Sequence, residues 1–238
     1  MYAAPLEAVE EDVIDLKSRG VKVVFIRDES FATHPKFYEV APIYKKGNFE
    51  ILYSFGTGNA MNEAKVKCLA ENGWHSLCFG LEDVGKAYSK NKRLAEACEL
   101  CYKYGINITL SFIVNDDGKS QDEAKANYKA LLEAFCQLKP AQVCANFLMP
   151  FPGTRLWETY KDRITDDDFE NYDSKTPLLC PNELKDWHRR MAVATQLAYY
   201  YSKEYPREFE CGDTQHLRFL ELAKRFKMEN GGWERWLR

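Results

Sequence analysis

Carboxylates, glycines and amides stand directly behind short apolar stretches of this chain. Asp28 and Glu29 follow the stretch 21–27, and Glu82 follows the stretch 75–80. The residues after the other apolar stretches include Thr57, Asn59, Asn115 and Pro150. Carboxylates can bind an ammonium group, and glycines let the backbone approach a ligand such as a ribose closely. These residue types predict a binding site for a small zwitterionic molecule.

Each of these groups also has an ordinary structural role open to it. Asp28 and Glu29 could cap a following turn. Gly56-Thr57-Gly58 is too short for a dinucleotide fingerprint, so a turn explains it better. Asp116-Asp117-Gly118 has the composition of a solvated turn. Glu82 comes directly after a buried stretch and is harder to explain in this way.

The eight cysteines and four histidines do not form a metal-binding pattern. Cys98 and Cys101 are spaced as C-x-x-C, but they lie in a helical segment and supply only half a zinc site. We therefore expect them to pack in the core, and we predict neither metal ligands nor catalytic residues. Scattered cysteines of this kind are typical of the reducing cytoplasm and not of a disulfide framework.

Strand-like and helix-like segments alternate through the first 150 residues. The predicted strands are 21–27, 49–55, 75–80, 107–114 and 142–149. The predicted helices between them are 5–18, 35–45, 62–71, 90–104 and 120–138, and four of these are followed by Gly20, Gly47, Gly73 and Gly105. A glycine just past a helix is typical of a left-handed C-terminal cap.

The alternation predicts an α/β fold with a parallel sheet and helices outside it. The near-continuous apolarity of the strands indicates burial on both faces. The pattern alone fits an open, doubly wound sheet and a barrel equally. In either fold the carboxyl ends of the strands share one edge, so Asp28 and Glu82 should face a common cavity.

The alternation stops after Pro152, and helices are predicted over 182–204 and 213–228. We expect residues 1–160 to form the sheet domain and 161–238 to form a helical extension packed on it. The net charge of −3 gives no basic surface for nucleic acid. No apolar stretch approaches the length of a bilayer span, and the N-terminus lacks a signal peptide. The expected protein is cytoplasmic, without a nucleic-acid or membrane partner.

The order of these motifs resembles that of radical S-adenosylmethionine (SAM) enzymes, and most closely those with a cobalamin-binding domain upstream. Asp28-Glu29-Ser30-Phe31 is similar to the family's motif after its second strand, and Gly80-Leu81-Glu82 to the G-I-E motif after its fourth. The remaining similarities are Asn91-Lys92, Phe112-Ile113-Val114-Asn115, Pro150 to Thr154, and Tyr172-Asp173.

The resemblance implies an incomplete (β/α)6 TIM-like partial barrel made of strands two to six, followed by helices. It also implies S-adenosylmethionine bound at the carboxyl ends of the strands, beside a [4Fe–4S] cluster whose electron cleaves it to a radical. By the same resemblance, Asp28 and Glu29 would bind the methionine ammonium and Glu82 the methionine or ribose. The backbone of Ile113 would lie near adenine, and Thr57, Asn59, Asn115 and Pro150 complete the implied cofactor site.

The sequence departs from the family in the cluster motif. No three cysteines have the C-x₃-C-x₂-C spacing, and the chain begins at the helix that follows that motif in the family. Thiolates are the ligands of a [4Fe–4S] cluster, so the chain alone should not hold one. Thr57 also replaces a common arginine, and Asn115 replaces a glycine. The expected function is that of a C-terminal portion of a radical SAM enzyme, inactive alone.

Two other functions remain open from the residues. The chain could be a degenerate barrel that serves as a binding module, or an unrelated TIM-type hydrolase or lyase that uses Asp28 and Glu82. The latter needs a phosphate loop or an acidic metal site, and neither is evident. If the first strand is missing, 21–27 is an open edge. We expect a second copy, an upstream-encoded segment or subunit with the cluster strand, or the C-terminal helices to cover it.

Overall fold

The computed structural model describes residues 4–28, 31–81, 93–114, 120–165, 168–202 and 205. The strands in these ranges are β1 Val23–Ile26, β2 Ile51–Gly56, β3 Ser76–Leu81, β4 Asn107–Val114 and β5 Gln142–Phe147. The helices are α1 Leu6–Ser18, α2 Phe37–Lys45, α3 Glu63–Glu71, α4 Leu94–Lys103, α5 Gln121–Leu138, α6 Arg155–Tyr160 and α7 Asn182–Tyr201. None of these helices combines the length and apolarity that crossing a bilayer requires.

The strands form one parallel sheet in the order β1-β2-β3-β4-β5. Each strand therefore lies beside the strand that precedes it in the chain, which is the connectivity of a (β/α) barrel. In a doubly wound sheet the strand order reverses at a switch point. In this sheet the order runs from β1 to β5 without a reversal. The predicted α/β fold, a partial TIM-like barrel followed by helices, is confirmed.

The chain divides into two compact units, of which the first contains residues 1–80 and 88–110. In it α2 packs against α1 and α3, and α3 packs against α4. Its core holds an aromatic cluster in which the Phe31 ring stacks on Trp74, with centroids 5.3 Å apart. The indole Nε1 of Trp74 donates a 3.0 Å hydrogen bond to the buried Ser54 hydroxyl. The Ser54 hydroxyl is thus paired, as its burial requires.

The second unit contains residues 81–87 and 111–238. Here α7 packs against both α5 and β5. Tyr128 of α5 is buried against α7, and its hydroxyl donates to the backbone oxygen of His188 at 3.1 Å. The predicted boundary between a sheet domain and a helical extension near residue 160 stays a prediction.

The strands bury one face more than the other, although the sequence indicated burial on both. Leu77, Phe79 and Leu81 of β3 are buried, while Cys78 is half-buried and Gly80 is exposed. The less buried face of β1 and β2 is aromatic. Phe25 stacks on Tyr53 with centroids 4.3 Å apart and meets Phe55 edge-on at 4.9 Å. The apolarity of these strands therefore includes a half-exposed aromatic surface and not only core residues.

Three of the four predicted helix-ending glycines adopt the left-handed conformation, with φ of 70° at Gly20, 87° at Gly73 and 73° at Gly105. Gly47 is the exception, because Asn48 with φ 50° takes that position after α2. Position 47 favours glycine for another reason: a Cβ there would overlap the Phe49 ring, which would then have to move. The role predicted for Gly47 was therefore wrong, although its place at the helix end was right.

Candidate functional site

In the first unit, Asp28 and Thr57 lie at the same edge of the sheet. Ile26 is paired with Ser54 in the parallel β1–β2 register. Asp28 is two residues beyond Ile26, and Thr57 is three residues beyond Ser54, so both follow the carboxyl ends of their strands. Both residues are exposed. An exposed carboxylate and an exposed hydroxyl at one edge of a sheet suit an ammonium-bearing ligand, because both can accept its hydrogen bonds.

Gly56 ends β2 where the backbone must approach a neighbouring ring. It is paired with Phe79 of β3, and a Cβ at this position would lie 2.7 Å from a carbon of the Phe79 ring. Any larger residue would displace that buried ring. Gly56 therefore allows β2 to end close to the Phe79 ring, and this sets the position of the following residue, Thr57.

Asn59 lies in the 3₁₀ turn Gly58–Ala60 that follows Thr57. Its side-chain oxygen accepts a 3.3 Å hydrogen bond from the backbone N–H of Arg93, the residue before α4. The Thr57 backbone oxygen closes the turn by accepting from Ala60 N–H at 2.9 Å. Asn59 thus ties the end of β2 to the start of α4. This contact gives it a structural role beside the ligand-binding role predicted for it.

The charges around Asp28 are defined by its neighbours in the first unit. Burial raises the pKa of the Tyr44 hydroxyl, and the negative charges of Asp12 and Asp28 raise it further. The guanidinium of Arg27 lies over the Phe25 ring, 5.7 Å from its centroid. Residues 25–28 at the carboxyl end of β1 therefore include an aromatic ring, a cation and an anion.

In the second unit, the ends of β4 and β5 are held together by the backbone. Leu148 N–H donates to the oxygen of Val114 at 3.2 Å, which continues the ladder beyond both strands. Ile113 is 37% exposed. Pro150 is buried, so it contributes the rigid start of the following turn more than a surface for a ligand.

The turn after Pro150 is closed by Thr154, which caps α6. The Thr154 hydroxyl accepts from Trp157 N–H at 3.1 Å and donates to the oxygen of Phe151 at 2.7 Å. Gly153 has a φ of 83°, which a side chain would strain. Phe151 is 49% exposed and packs near Tyr172 with centroids 6.0 Å apart.

Three of the predicted cofactor-binding residues lie outside the described residues: Glu29, Glu82 and Asn115. The same holds for Asn91, Lys92 and the segment 116–118. The expectation that Asp28 and Glu82 share a cavity therefore stays a prediction. What the structure brings together is Asp28 with Thr57 in one unit, and the ends of β4 and β5 in the other.

The C-x-x-C pair lies in the core, as expected. Cys98 and Cys101 are buried in α4. Burial raises the pKa of both thiols, that of Cys101 to about 12. In the described ranges no three Cys, His, Asp or Glu side chains converge as metal ligands; Cys211 lies outside them. These residues do not fit a [4Fe–4S] cluster, which needs accessible thiolates.

Sequence reasoning missed a cavity of about 600 Å³ in the second unit, between β5, the segment 173–176 and α7. The pattern that could have revealed it is a stripe on one face of α7. Arg189 is followed by Ala192, Val193, Gln196 and Tyr200, which is helical spacing and mixes charge, amide and apolar groups. Tyr172-Asp173 was noted in the sequence only for its similarity to a family motif, and Asp173 lines the cavity.

Comparison with known proteins gives one curated relative of note, and no family model matches the chain. An uncharacterised methyltransferase of Pyrococcus horikoshii is 24% identical over an alignment 149 positions long, which covers 58% of this chain and 31% of that protein. The chain thus spans about a third of the length of this relative.

Solved structures match nearly the whole chain. The radical SAM methyltransferase TsrM of Kitasatospora setae, with cobalamin and a [4Fe–4S] cluster bound, matches with a TM-score of 0.54 at 14% identity. The match covers 92% of this chain and 46% of TsrM. A second TsrM structure, with tryptophan and a SAM analogue bound, gives 0.51 at 13% identity, with the same shares covered. Methylornithine synthase gives 0.52 at 14% identity over 94% of this chain and 73% of that protein.

The chain spans less than half of TsrM, so the likeness concerns one part of that protein. This chain therefore shares its partial-barrel fold with the radical SAM methyltransferase TsrM.

Proposed function

We propose that this chain is the SAM-binding portion of a radical SAM methyltransferase, and that its cluster ligands come from outside these 238 residues. The observation that carries the proposal is the exposed Asp28 carboxylate at the carboxyl end of β1, in a sheet whose fold TsrM shares over 92% of the chain. The curated relative, itself named a methyltransferase, supports the same reaction class.

The residues at the end of β1 fit the amino-acid part of SAM. The Asp28 carboxylate is solvent-accessible and can accept hydrogen bonds from an ammonium group. The half-exposed rings of Phe25, Tyr53 and Phe55 offer an apolar surface on the neighbouring strands. When bound, SAM supplies an electrophilic methyl group and a cleavable sulfonium.

The cluster is a different matter, because the cysteines of the described ranges are dispersed or buried. We propose that a strand carrying the cluster cysteines pairs with β1, either from a preceding segment or from another subunit. The alternative, a barrel that binds a ligand without chemistry, makes the same use of Asp28 and differs only in lacking such a strand.

SAM binding by the purified chain tests the proposal, measured by isothermal titration calorimetry. Asp28→Asn removes the charge that pairs with the ammonium but keeps the shape, so we expect affinity to fall by about tenfold. Asp162→Asn is the matched control, since Asp162 is an exposed aspartate of the other unit. We expect it to leave affinity unchanged.

Unaltered affinity in Asp28→Asn, or equal losses in both variants, would contradict the assignment of Asp28. Absence of SAM binding to the unaltered chain at millimolar concentration would contradict the proposal that this portion holds SAM. In that case the fold would remain that of a radical SAM barrel without the function.

A further inference from the structure

The cavity between α7 and β5 has walls that are fixed by hydrogen bonds to the strand. The Tyr200 hydroxyl accepts from Val143 N–H at 3.0 Å. Lys175 Nζ donates to the Ala145 oxygen at 2.6 Å and to Asn146 Oδ1 at 3.0 Å. Phe147 N–H donates to the Ser174 oxygen at 2.9 Å. These contacts satisfy backbone groups on the outer edge of β5, so the edge is not open to another strand and the cavity is preformed.

The volume and lining of the cavity suit a small organic molecule. Its volume of about 600 Å³ lies within the range of ligand pockets. Its apolar lining comes from both walls: Val143, Ala145, Phe147, Ala192 and Val193. Val193 is 43% exposed, which is unusual for a valine on a packed helix. An apolar ligand body would cover this surface and gain the free energy of burying it.

One end of the cavity carries Arg189, whose guanidinium uses only some of its N–H groups in hydrogen bonds to the described residues. Arg189 Nη2 donates to the Thr176 hydroxyl at 3.1 Å, and Nη1 lies 3.4 Å from the exposed Asp186 carboxylate. A guanidinium has five N–H groups in a fixed fork, so most remain unengaged among the described residues. The Arg189 side chain is 44% exposed and stays accessible to a ligand.

The charge at this end favours an anion. Arg189 and Lys175 bring two positive charges to the lining, and Asp173 brings one negative charge. Burial alone would raise the pKa of Asp173, but hydrogen bonds from the N–H groups of Lys175 and Thr176, each 2.7 Å, lower it overall. The Asp173 carboxylate is thus engaged by the backbone, which leaves Arg189 as the group best placed to bind a ligand carboxylate.

The other end carries a buried amide whose oxygen has no hydrogen-bond partner in the described part of the chain. Gln196 lines the cavity and is only 7% exposed. Its Nε2 donates to the Ala192 oxygen at 3.2 Å, which fixes Oε1 as the unpaired atom. This oxygen is not among the fully buried atoms without a partner, so it remains accessible to solvent. A ligand N–H or O–H would satisfy it.

We propose that this cavity binds a small carboxylic acid with an apolar body and a hydrogen-bond donor at its far end. Arg189 binds the carboxylate, Val143 and Val193 contact the body, and Gln196 Oε1 accepts from the donor. Arg189 and Gln196 are seven residues apart on one helix, or about 10 Å along its axis at about 1.5 Å per residue. Their side chains can converge on a molecule built around a single ring.

The test is binding of 4-hydroxyphenylacetate to the purified chain, followed by chemical shifts of backbone amides and by titration. Phenylacetate lacks the distal donor, and methyl 4-hydroxyphenylacetate lacks the negative charge. We expect shifts at Val143, Ala145 and Ala192, and at least about tenfold weaker binding of the ester because its charge-assisted hydrogen bonds are lost. Phenylacetate should bind less tightly than the hydroxylated acid.

Two variants assign the ends of the site. Arg189→Met keeps the apolar stem and should bind acid and ester alike, whereas Gln196→Met should bind 4-hydroxyphenylacetate and phenylacetate alike. Arg190→Met is the control, because Arg190 is exposed and does not line the cavity; it should retain both preferences. Circular dichroism spectra first establish that each variant keeps the fold of the unaltered chain, and binding is compared only between variants that do.

Equal binding of acid and ester by the unaltered chain would overturn the proposal. So would shifts confined to residues away from β5 and α7, or no binding of 4-hydroxyphenylacetate at millimolar concentration. We expect SAM binding to be unchanged in all three variants. Failure of the proposal for the cavity would therefore not affect the proposal for Asp28, and failure of the proposal for Asp28 would not affect the cavity.

Discussion

Single residues in this chain have chemistry set by burial more than by sequence spacing. Cys98 and Cys101 have the C-x-x-C spacing of redox and metal sites, yet both thiols are buried in α4. Desolvation disfavours the thiolate, and burial accordingly raises the pKa of both. The pair therefore contributes apolar packing and not a reactive site.

Alkylation rates test this at residue scale. We expect Cys98 and Cys101 to react with iodoacetamide at least about tenfold more slowly than the half-buried Cys144 at pH 8, because the thiolate is the nucleophile. Since their pKa is raised, the thiolate fraction should still be rising at pH 10, without a plateau. The readout is peptide mass spectrometry over time, and alkylation in guanidinium, where all three should react alike, is the control. Similar rates in the folded chain would show that α4 exposes these thiols.

At the scale of the elements, helix caps explain where helices begin. Ser120 precedes α5 and forms a capping box: its hydroxyl accepts from Glu123 N–H at 3.3 Å, and the Glu123 carboxylate accepts from Ser120 N–H at 2.9 Å. Asn62 caps α3 in a similar way through Lys65 N–H at 2.9 Å. These side chains pair N–H groups that the first helical turn leaves without partners.

Replacing the cap of α5 has a predictable cost. Ser120→Ala should lower the free energy of unfolding by about 1 kcal/mol, and Ser120→Gly by only a few tenths, since glycine exposes the orphan N–H groups to water. Urea unfolding followed by circular dichroism measures both. Ser18→Ala is the comparison, because Ser18 is exposed at the end of α1 and its hydroxyl only donates back to the Asp15 oxygen. Equal effects at positions 120 and 18 would mean that the capping box contributes nothing specific.

The elements were largely predictable from the sequence because their signals are local. β4 was predicted over its observed range, Asn107–Val114, and the predicted first residues of two helices, Asn62 and Ser120, are their caps. The closure of the β5 edge was not predictable, since Tyr200 is 57 residues from Val143 in sequence. The α7–β5 cavity depends on the same distant contact. Candidate site residues at strand ends could be named, but their convergence depends on tertiary structure.

At the scale of the whole molecule, the sheet has an edge strand in each compact unit, and the two edges differ. The β5 edge is covered by Tyr200, Lys175 and Ser174. At β1, Ile51 N–H donates to the Lys22 oxygen at 3.1 Å, so Lys22, Val24 and Ile26 direct their backbone toward β2. Val23 and Phe25 direct theirs to the opposite side, where no strand of the described residues lies.

This open edge predicts association through β1. Val23 is 52% exposed and sits in a short strand without charge or proline, which is the kind of edge that pairs with another chain. We expect the purified chain to self-associate with rising concentration, and Val23→Lys to reduce this, because a lysine on an edge strand opposes pairing. Ile14→Lys is the matched control: Ile14 is 55% exposed, but it lies on α1. Light scattering across a concentration series is the measurement.

A competition experiment shows whether a second copy of the chain or a cysteine-rich segment pairs with the β1 edge. If β1 receives a strand that carries the cluster cysteines, co-expression with an upstream-encoded cysteine-rich segment should displace self-association, and iron should be retained after anaerobic reconstitution. Val23→Lys should weaken this complex as well, whereas Ile14→Lys should not. A chain that stays monomeric at every concentration, binds no such segment, and exchanges its Val23 and Phe25 amides rapidly would show that the β1 edge is exposed in the native protein, and the proposed pairing would be wrong.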